Sequence, residues 1–219
     1  MLTYKEITAN EAIKTYIIRA DESLDALGFT EHSFSHVTRV AETAGYILQT
    51  MGYDARTIEL AKIAGYLHDI GNLVNRKDHS QSGAVMAWSI LHDMGCDPGE
   101  MATIVTAIGN HDEGTGVPVN AVAAAMILAD KADVRRSRVR NKDHTTFDIH
   151  DRVNFSVTNS TLTIDDGKSY ITLELTVDTK YGSVMEYFEI FLQRMILCRK
   201  AAEKIGLQFR LIINNQRLV

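Results

Sequence analysis

A histidine and an aspartate, His68 and Asp69, stand side by side at the end of an apolar helical run that begins near Ala61. An imidazole and a carboxylate can both bind a metal ion, and neighbouring positions on a helical turn lie about 100° apart, so both can reach one point beyond the helix end. Gly71 is expected to take the left-handed conformation past that end. The alternative is a histidine that the helix dipole favours beside a solvated aspartate.

Four further side chains with the same chemistry come from other predicted helices. They are three histidines at helix ends and one aspartate in an Ala-rich helix: His36, His79, His111 and Asp130. Helical bundles build metal sites from side chains that project inward from several helices. Nitrogen and carboxylate ligands without thiolate favour Mn, Fe, Ni, Co or Zn over Ca. Each histidine alone is more typical of a core or capping residue, but the set indicates metal ligands.

Hydrophobic periodicity and capping signals predict the elements that must position these residues. Six helices are expected before residue 143, and they run from a capping box at Thr8–Glu11, from Ser33 to Met51, from Asp54 to His68, from about Ser80 to Met94, from Asp97 to His111, and from Val119 to about Arg136. The aspartates and Ser33 are typical helix N-caps, and Gly52 is expected to end the second helix.

The pattern of the sequence changes after Asp143. Alternation predicts strands over 152–164 and 171–177 with a hairpin turn at 165–167, and then a helix of about 20 residues from Gly182 and a last strand near 209–213. The sequence therefore predicts a mainly α protein, in which a helical domain of residues 1–143 precedes a small α+β unit (β-β-α-β) of residues 144–219. That unit is expected to pack on the helices or in a dimer interface.

The composition restricts the class of protein. Apolar residues make up 45% and charged residues 23% of the 219 residues, which is typical of a globular chain, and the net charge of −5 argues against a dedicated nucleic-acid binder. The two cysteines form no metal or redox motif, and no run of residues is apolar enough to span a membrane. We expect a cytoplasmic protein that interacts with no membrane, and a homodimer formed through an edge strand.

The order of the six residues resembles that of the HD-domain superfamily of metal-dependent phosphohydrolases, over roughly Ser33 to Arg140. The resemblance implies an HD-type helical bundle that holds two divalent transition-metal ions. His36, His68, Asp69 and Asp130 would hold one ion, and Asp69 would bridge to a second ion at His79 and His111. His68 and Asp69 would also be the catalytic residues. The segments 79–84 and 128–131 are most similar to the bacterial branch that hydrolyses dinucleoside tetraphosphates.

Three features depart from the family pattern. Many relatives have a lysine where this chain has Asn72, which puts a phosphate contact or proton donor in doubt. The segment 110–118 is faintly similar to the branch that opens cyclic dinucleotides, but it lacks that branch's paired histidines and its Gly-Tyr-Pro. The C-terminal β-β-α-β unit is not part of the common HD core.

Two metal ions that share a hydroxide provide a nucleophile at neutral pH, so the expected reaction is hydrolysis of a phosphate ester or anhydride of a nucleotide or similar small molecule. The candidate substrate contacts are Arg76, Lys77, Lys131 and Arg135, although the basic run 135–140 is also typical of a helix C-terminus. His32 lies one turn before His36, where it could line the entrance to the site, but it is expected to be exposed. The alternatives are an HD-type di-iron oxygenase and a non-catalytic module that senses a nucleotide.

Overall fold

The computed structural model describes residues 1–219, which form nine α-helices and one four-stranded sheet. The helices are α1 (Tyr4–Ala9), α2 (Glu11–Ala26), α3 (Phe34–Met51), α4 (Ala55–Leu67), α5 (His79–Asp93), α6 (Pro98–Gly109), α7 (Ala121–Ala132), α8 (Ile149–Ser156) and α9 (Val184–Lys204). The strands are β1 (Val157–Ile164), β2 (Tyr170–Val177), β3 (Gln208–Ile213) and β4 (Gln216–Arg217). The predicted mainly α fold with a small α+β unit is confirmed.

Side-chain caps define where the helices begin. Ser33, Asp54 and Asp97 each accept a hydrogen bond from a backbone N–H in the first turn of α3, α4 and α6, as the sequence predicts. Gly52 ends α3 in the left-handed conformation with φ of 85°. The predicted capping box at Thr8 is wrong, because Asn10 caps α2 and a separate short helix, α1, precedes it.

Two other element predictions are wrong. The Ala-rich helix ends at Ala132 rather than near Arg136, because Asp133 leaves the helical conformation with ψ of 64°. Residues 149–156 form a helix and not the first half of a strand, because Asp148 caps it and accepts a hydrogen bond from the Asp151 amide. Val153, which we interpreted as part of the strand alternation, also lies four residues after Ile149 and therefore on the same side of a helix.

The sheet combines an antiparallel hairpin with a parallel crossover. The strand order is β1-β2-β3-β4; β1 and β2 are antiparallel, whereas β3 lies parallel to β2 with Leu173 opposite Leu211. Helix α9 forms the crossover. The alternation along β2 buries Ile171, Leu173 and Leu175 on one face, as its sequence predicts. The short strand β4 extends the sheet beyond the predicted β-β-α-β unit.

One hydrophobic core extends through both parts of the chain. Helix α7 lies at its centre, where it contacts α3, α4 and α6 on the helical side and α9 on the C-terminal side. Its alanines, Ala123 to Ala125, are fully buried and allow these helices to approach closely. The division of the chain at residue 143 stays a prediction. No helix combines the length and hydrophobicity that a bilayer span requires.

Candidate metal centre

Six polar side chains from the ends of five helices meet inside the helical bundle. His36 lies in the first turn of α3, His79 is the first residue of α5, and Asp130 lies in the last turn of α7. His68 and Asp69 directly follow α4, and His111 follows α6. These are the residues that the sequence predicts as metal ligands. Each one lies at or next to a helix end, so the helix fixes its backbone while its side chain extends past the end of the helix.

The first half of this cluster centres on His36 and His68, which are both fully buried. Their Nε2 atoms lie 3.3 Å apart. The Asp69 Oδ2 atom is 3.4 Å from the Nε2 of His36 and 3.2 Å from that of His68. Asp130 completes the group, because its Oδ1 lies 3.4 Å from the His36 Nε2 and 3.7 Å from the His68 Nε2.

The second half contains His79 and His111, whose Nε2 atoms are 3.1 Å apart. The Asp69 Oδ1 atom lies 3.5 Å from the His79 Nε2. One carboxylate thus places one oxygen beside His36 and His68 and the other beside His79. The rings of His68 and His111 meet edge to face with centroids 5.0 Å apart, so the two halves are in direct contact.

All four histidines are oriented in the same way, with Nδ1 bonded to an acceptor outside the cluster. The Nδ1 atom of His36 donates to Asp133 Oδ2 at 2.8 Å, and those of the other three donate to backbone carbonyls. These carbonyls are Gly65 O at 2.8 Å from His68, Arg76 O at 3.0 Å from His79 and Ile108 O at 2.7 Å from His111. Such bonds fix the tautomer, so each Nε2 faces the cluster as a potential ligand.

This donor set fits a divalent transition metal. Two Nε2 lone pairs that face each other at 3.3 and 3.1 Å repel unless a cation or a proton lies between them. Metal bonds of about 2.0–2.2 Å to nitrogen and oxygen place neighbouring ligands about 3.0–3.4 Å apart, which is close to the separations seen here. Two groups, His36–His68–Asp130 and His68–Asp69–His111, bring their ligand atoms within 4.8 Å of one another.

The pKa values show how strongly these groups act on one another. Burial alone would raise the pKa of Asp69, but the charge of His68 and hydrogen bonds from His36 and His68 hold it well below its usual value. Burial opposes the charge on His68, yet Asp69 and Asp130 raise its pKa to about 10. Burial and the charge of His68 lower the pKa of His111 to about 3, which leaves its Nε2 lone pair free. The two carboxylates therefore favour positive charge at this position, which a bound metal ion would also supply.

Other polar groups hold the ligands in position. Asp133, which orients His36, accepts a hydrogen bond of 2.8 Å from the Arg135 Nε. Asn72 is buried and donates through Nδ2 to Oδ1 of Asp69 at 2.9 Å. The residue that departs from the family pattern therefore supports a ligand. Asp133 and Asn72 are both buried, so neither contact is a solvated surface interaction.

Gly71 has a different role from the predicted one. It does not take the left-handed conformation; it lies in a 3₁₀ turn (Ile70–Leu73) between α4 and α5. A Cβ at this position would overlap the carbonyl oxygen of His79 and the backbone nitrogen of Gly83. Gly71 is needed because the turn packs directly on α5, and this contact holds His79 close to Asp69.

A cavity of about 330 Å³ opens beside Asp69, His79, His111 and Asp130. Of the predicted substrate contacts, Arg76 and Lys131 line this cavity. Lys77 is exposed and does not line it, and Arg135 binds Asp133 on another side of α7. The Arg76 Nη1 atom lies 3.9 Å from Asp69 Oδ1, and the Lys131 Nζ lies 2.7 Å from Asp130 Oδ2.

Sequence reasoning missed several residues that line this cavity. Arg138 is buried and donates to the carbonyls of Glu31 and Asp133 at 2.8 Å each, although the basic run gave no sign of burial. His32 lines the cavity and is half-buried, so the prediction of an exposed residue is wrong. Its spacing of one turn before His36 was the signal that could have identified it.

Comparison with known proteins identifies the segment that carries this cluster. Residues 33–135 match the HD domain family. The matched segment begins at the N-cap of α3 and includes all six clustered residues. HD domains bind divalent metals, which agrees with the donor set of the cluster. The match supports a hydrolase in general. We refer to residues 33–135 below as the HD segment.

Two individual proteins are similar to this chain. An uncharacterised protein of Methanocaldococcus jannaschii is 24% identical over 162 residues, which cover 64% of this chain and 62% of that protein. The chain thus spans less than two thirds of that relative. The crystal structure of a predicted HD superfamily hydrolase from an uncultured Thermotogales bacterium is 28% identical and covers 57% of this chain and 67% of that one, with a TM-score of 0.45.

Proposed function

We propose that this protein is a metal-dependent phosphohydrolase that cleaves a phosphate ester or anhydride of a nucleotide or a similar small molecule. The observation that carries the proposal is the position of the Asp69 carboxylate, whose Oδ2 lies near His36 and His68 while its Oδ1 lies near His79. In this proposal Asp69 would be a ligand of two divalent ions. His36, His68 and Asp130 would hold one ion, and His79 and His111 would hold the other.

When bound, such ions supply a hydroxide at neutral pH and neutralise charge on the phosphoryl oxygens. The protein holds the ligands for this task in fixed directions. Asp133 and three backbone carbonyls lock the histidine rings, and Asn72 holds the bridging carboxylate. Preorganised ligands avoid the cost of rearrangement during the reaction, which is where such a site gains its rate.

The substrate phosphate is expected to lie against the cations of the cavity. Arg76 and Lys131 are within reach of Asp69 and Asp130, and both line the cavity. Arg138 lines it too and uses only its Nε and Nη1 atoms in hydrogen bonds to carbonyls. An arginine with a free Nη2 binds a phosphate oxygen through a charge-assisted hydrogen bond.

The test measures metal content and phosphate release on the same preparations. The full chain is purified without chelator, its metals are quantified, and turnover of p-nitrophenyl phosphate and a panel of nucleotides is measured with each candidate metal. We expect two ions per chain in the wild type. Asp69→Asn should bind less than one ion and lose about 1,000-fold in turnover, which corresponds to about 4 kcal/mol of transition-state stabilisation.

Asp93→Asn is the matched control, because this aspartate is exposed on the last turn of α5 and outside the cavity. Its metal content and turnover should equal those of the wild type. Three results would overturn the proposal: full turnover in Asp69→Asn, oxygen consumption by an iron-loaded protein that releases no phosphate, or tight nucleotide binding without turnover under any metal. The last two results favour the oxygenase and the sensing module, respectively.

A further inference from the structure

The cavity beside the metal centre is completed by residues outside the HD segment. Helix α9 contributes Phe191 and Arg194, and α8 together with its N-cap contributes four polar residues. Arg194 forms an ion pair with Glu113, which lies 3.3 Å from the Nζ of Lys131. Lys131 in turn binds Asp130. This series of ion pairs connects α9 to a metal-centre residue and fixes the C-terminal unit at the cavity.

Three of these four residues line the cavity with a side-chain acceptor that no donor of the chain occupies. Asn154 is only 7% exposed, and its Nδ2 donates to the His150 carbonyl at 2.8 Å, which leaves its Oδ1 free. Asp148 uses Oδ1 for the Asp151 amide, and Asp151 uses Oδ2 for Asn141. One carboxylate oxygen of each aspartate therefore has no hydrogen-bond partner within the chain.

Free acceptors select a ligand that carries donors. A hydroxyl group donates to a carboxylate or an amide oxygen, whereas a phosphate brings further acceptors and negative charge. Like charges placed side by side across a binding interface are strongly unfavourable. The cavity of about 330 Å³ is lined by Asp69 and Lys131 and also by the residues of α8, so a ligand whose phosphate lies at the first two can place its next groups at α8.

We propose that α8 is the element that selects the substrate, which is a phosphate monoester whose leaving group carries hydroxyls, such as a sugar. Asp148, Asp151 and Asn154 accept hydrogen bonds from those hydroxyls, while the phosphate lies at Arg76, Lys131 and Arg138. The two aspartates disfavour a second phosphate, so diphosphates and longer polyphosphates are poor substrates. This inference rests on the proposed hydrolase function and specifies the substrate of the same site.

The first experiment compares esters that differ only in their hydroxyls or phosphates. The metal-loaded full chain is given ribose 5-phosphate, n-butyl phosphate, AMP and ADP, and kcat/KM is measured for each. The wild type should prefer ribose 5-phosphate over n-butyl phosphate by about tenfold or more, which is the effect of one or two hydrogen bonds to a charged group. It should also prefer AMP over ADP by a similar factor.

Asp151→Asn tests the role of α8 with the least change in shape. The preference for ribose 5-phosphate over n-butyl phosphate should fall about tenfold, and the preference for AMP over ADP should fall as well. Asn154→Ala provides an independent second variant with the same expected direction. Asp166→Asn is the control, because Asp166 is exposed in the β1–β2 turn and should leave both ratios unchanged.

A second measurement does not depend on turnover. Calorimetry on chelator-treated protein should show tighter binding of ribose 5-phosphate than of n-butyl phosphate, and Asp151→Asn should reduce that difference. Equal kcat/KM values for the two esters in an active wild type would overturn this inference and leave the hydrolase function intact. A preserved binding preference with no phosphate released from any ester would support the selection by α8 and refute the hydrolase function.

Discussion

The polar cluster of the HD segment and the sheet of the C-terminal unit bury side chains of opposite chemistry. Around the metal centre, His36 and His68 are fully buried and each polar atom has a specific partner. In the C-terminal unit, the buried face of β2 contains only apolar side chains, such as Leu173 and Leu175. A buried polar group is costly as soon as one partner is lost, whereas apolar burial contributes in proportion to the area removed from water.

This contrast indicates that the two regions have different functions in one molecule. In the proposed function the polar cluster provides the chemistry, and it contributes little net stability, since desolvation offsets most of what its contacts gain. The apolar faces of β2 and α9 provide stability, and they extend the core that surrounds α7. Changes in the first region should therefore affect metal binding most, and changes in the second should affect stability.

The largest effect is expected at Gly71, where the turn after α4 packs directly on the backbone of α5 beside the polar cluster. Gly71→Ala should destabilise the protein by about 4 kcal/mol and lower its metal content, because the new Cβ overlaps backbone atoms of α5 that cannot move aside. Urea unfolding followed by circular dichroism measures the change. Gly109→Ala is the control, because its Cβ would meet Ala84 at an ordinary 3.5 Å. A Gly71→Ala protein of wild-type stability would contradict the close contact.

A smaller loss of stability, without loss of metal, is expected in the sheet. Leu173→Ala leaves a void beneath the sheet, because Leu173 is fully buried, and it should cost about 3 kcal/mol. The metal content of the folded fraction should stay at the wild-type value. Leu192→Ala, at a side chain that is 49% exposed, should change the free energy of unfolding by less than about 0.5 kcal/mol. Loss of metal from the folded Leu173→Ala protein would show that the packing of the sheet and metal binding at the cluster are not independent.

A clear effect on metal affinity is expected at Asp133, whose carboxylate orients His36. Asp133→Asn removes the charge that orients His36 and should weaken metal binding by about 10–100-fold, which is about 1.4–2.7 kcal/mol. Competition with a fluorescent chelator measures this affinity. Asp166→Asn is the control, because Asp166 is far from the cluster in sequence and outside the cavity, and this variant should bind metal as the wild type does. Equal affinities in all three proteins would exclude an orienting role for Asp133.

The helix boundaries and the clustered residues could be predicted because their signals are local. Ser33, Asp54 and Asp97 cap helices through bonds to residues two or three positions away, so their types and positions suffice. The six candidate ligands were identified as a set, by their order and by the family resemblance. Their placement in one cluster agrees with that hypothesis, although metal binding itself remains a proposal.

Features that depend on distant partners could not be predicted. Arg138 is buried because Glu31, more than a hundred residues away, provides its carbonyl. The strand predicted at 152–156 is a helix because α8 packs on α9 and on the turn at 136–138, and these contacts favour a helical face. The role of Gly71 could not be predicted for the same reason, since the atoms that it approaches belong to α5. In each case tertiary packing overrides the local pattern.

The parallel pairing of β2 with β3 has a consequence for how the chain reaches its final form. β3 can join β2 only after the 21 residues of α9 have been synthesised and have crossed the sheet. Pairing of this kind forms slowly, because contacts between distant parts of a chain require the closure of a long loop. A nascent chain that has emerged only through α7 already contains His36 to Asp130 but not yet α8 or α9. During translation, a chain can therefore acquire its metal ligands before the part that we propose distinguishes one ester from another.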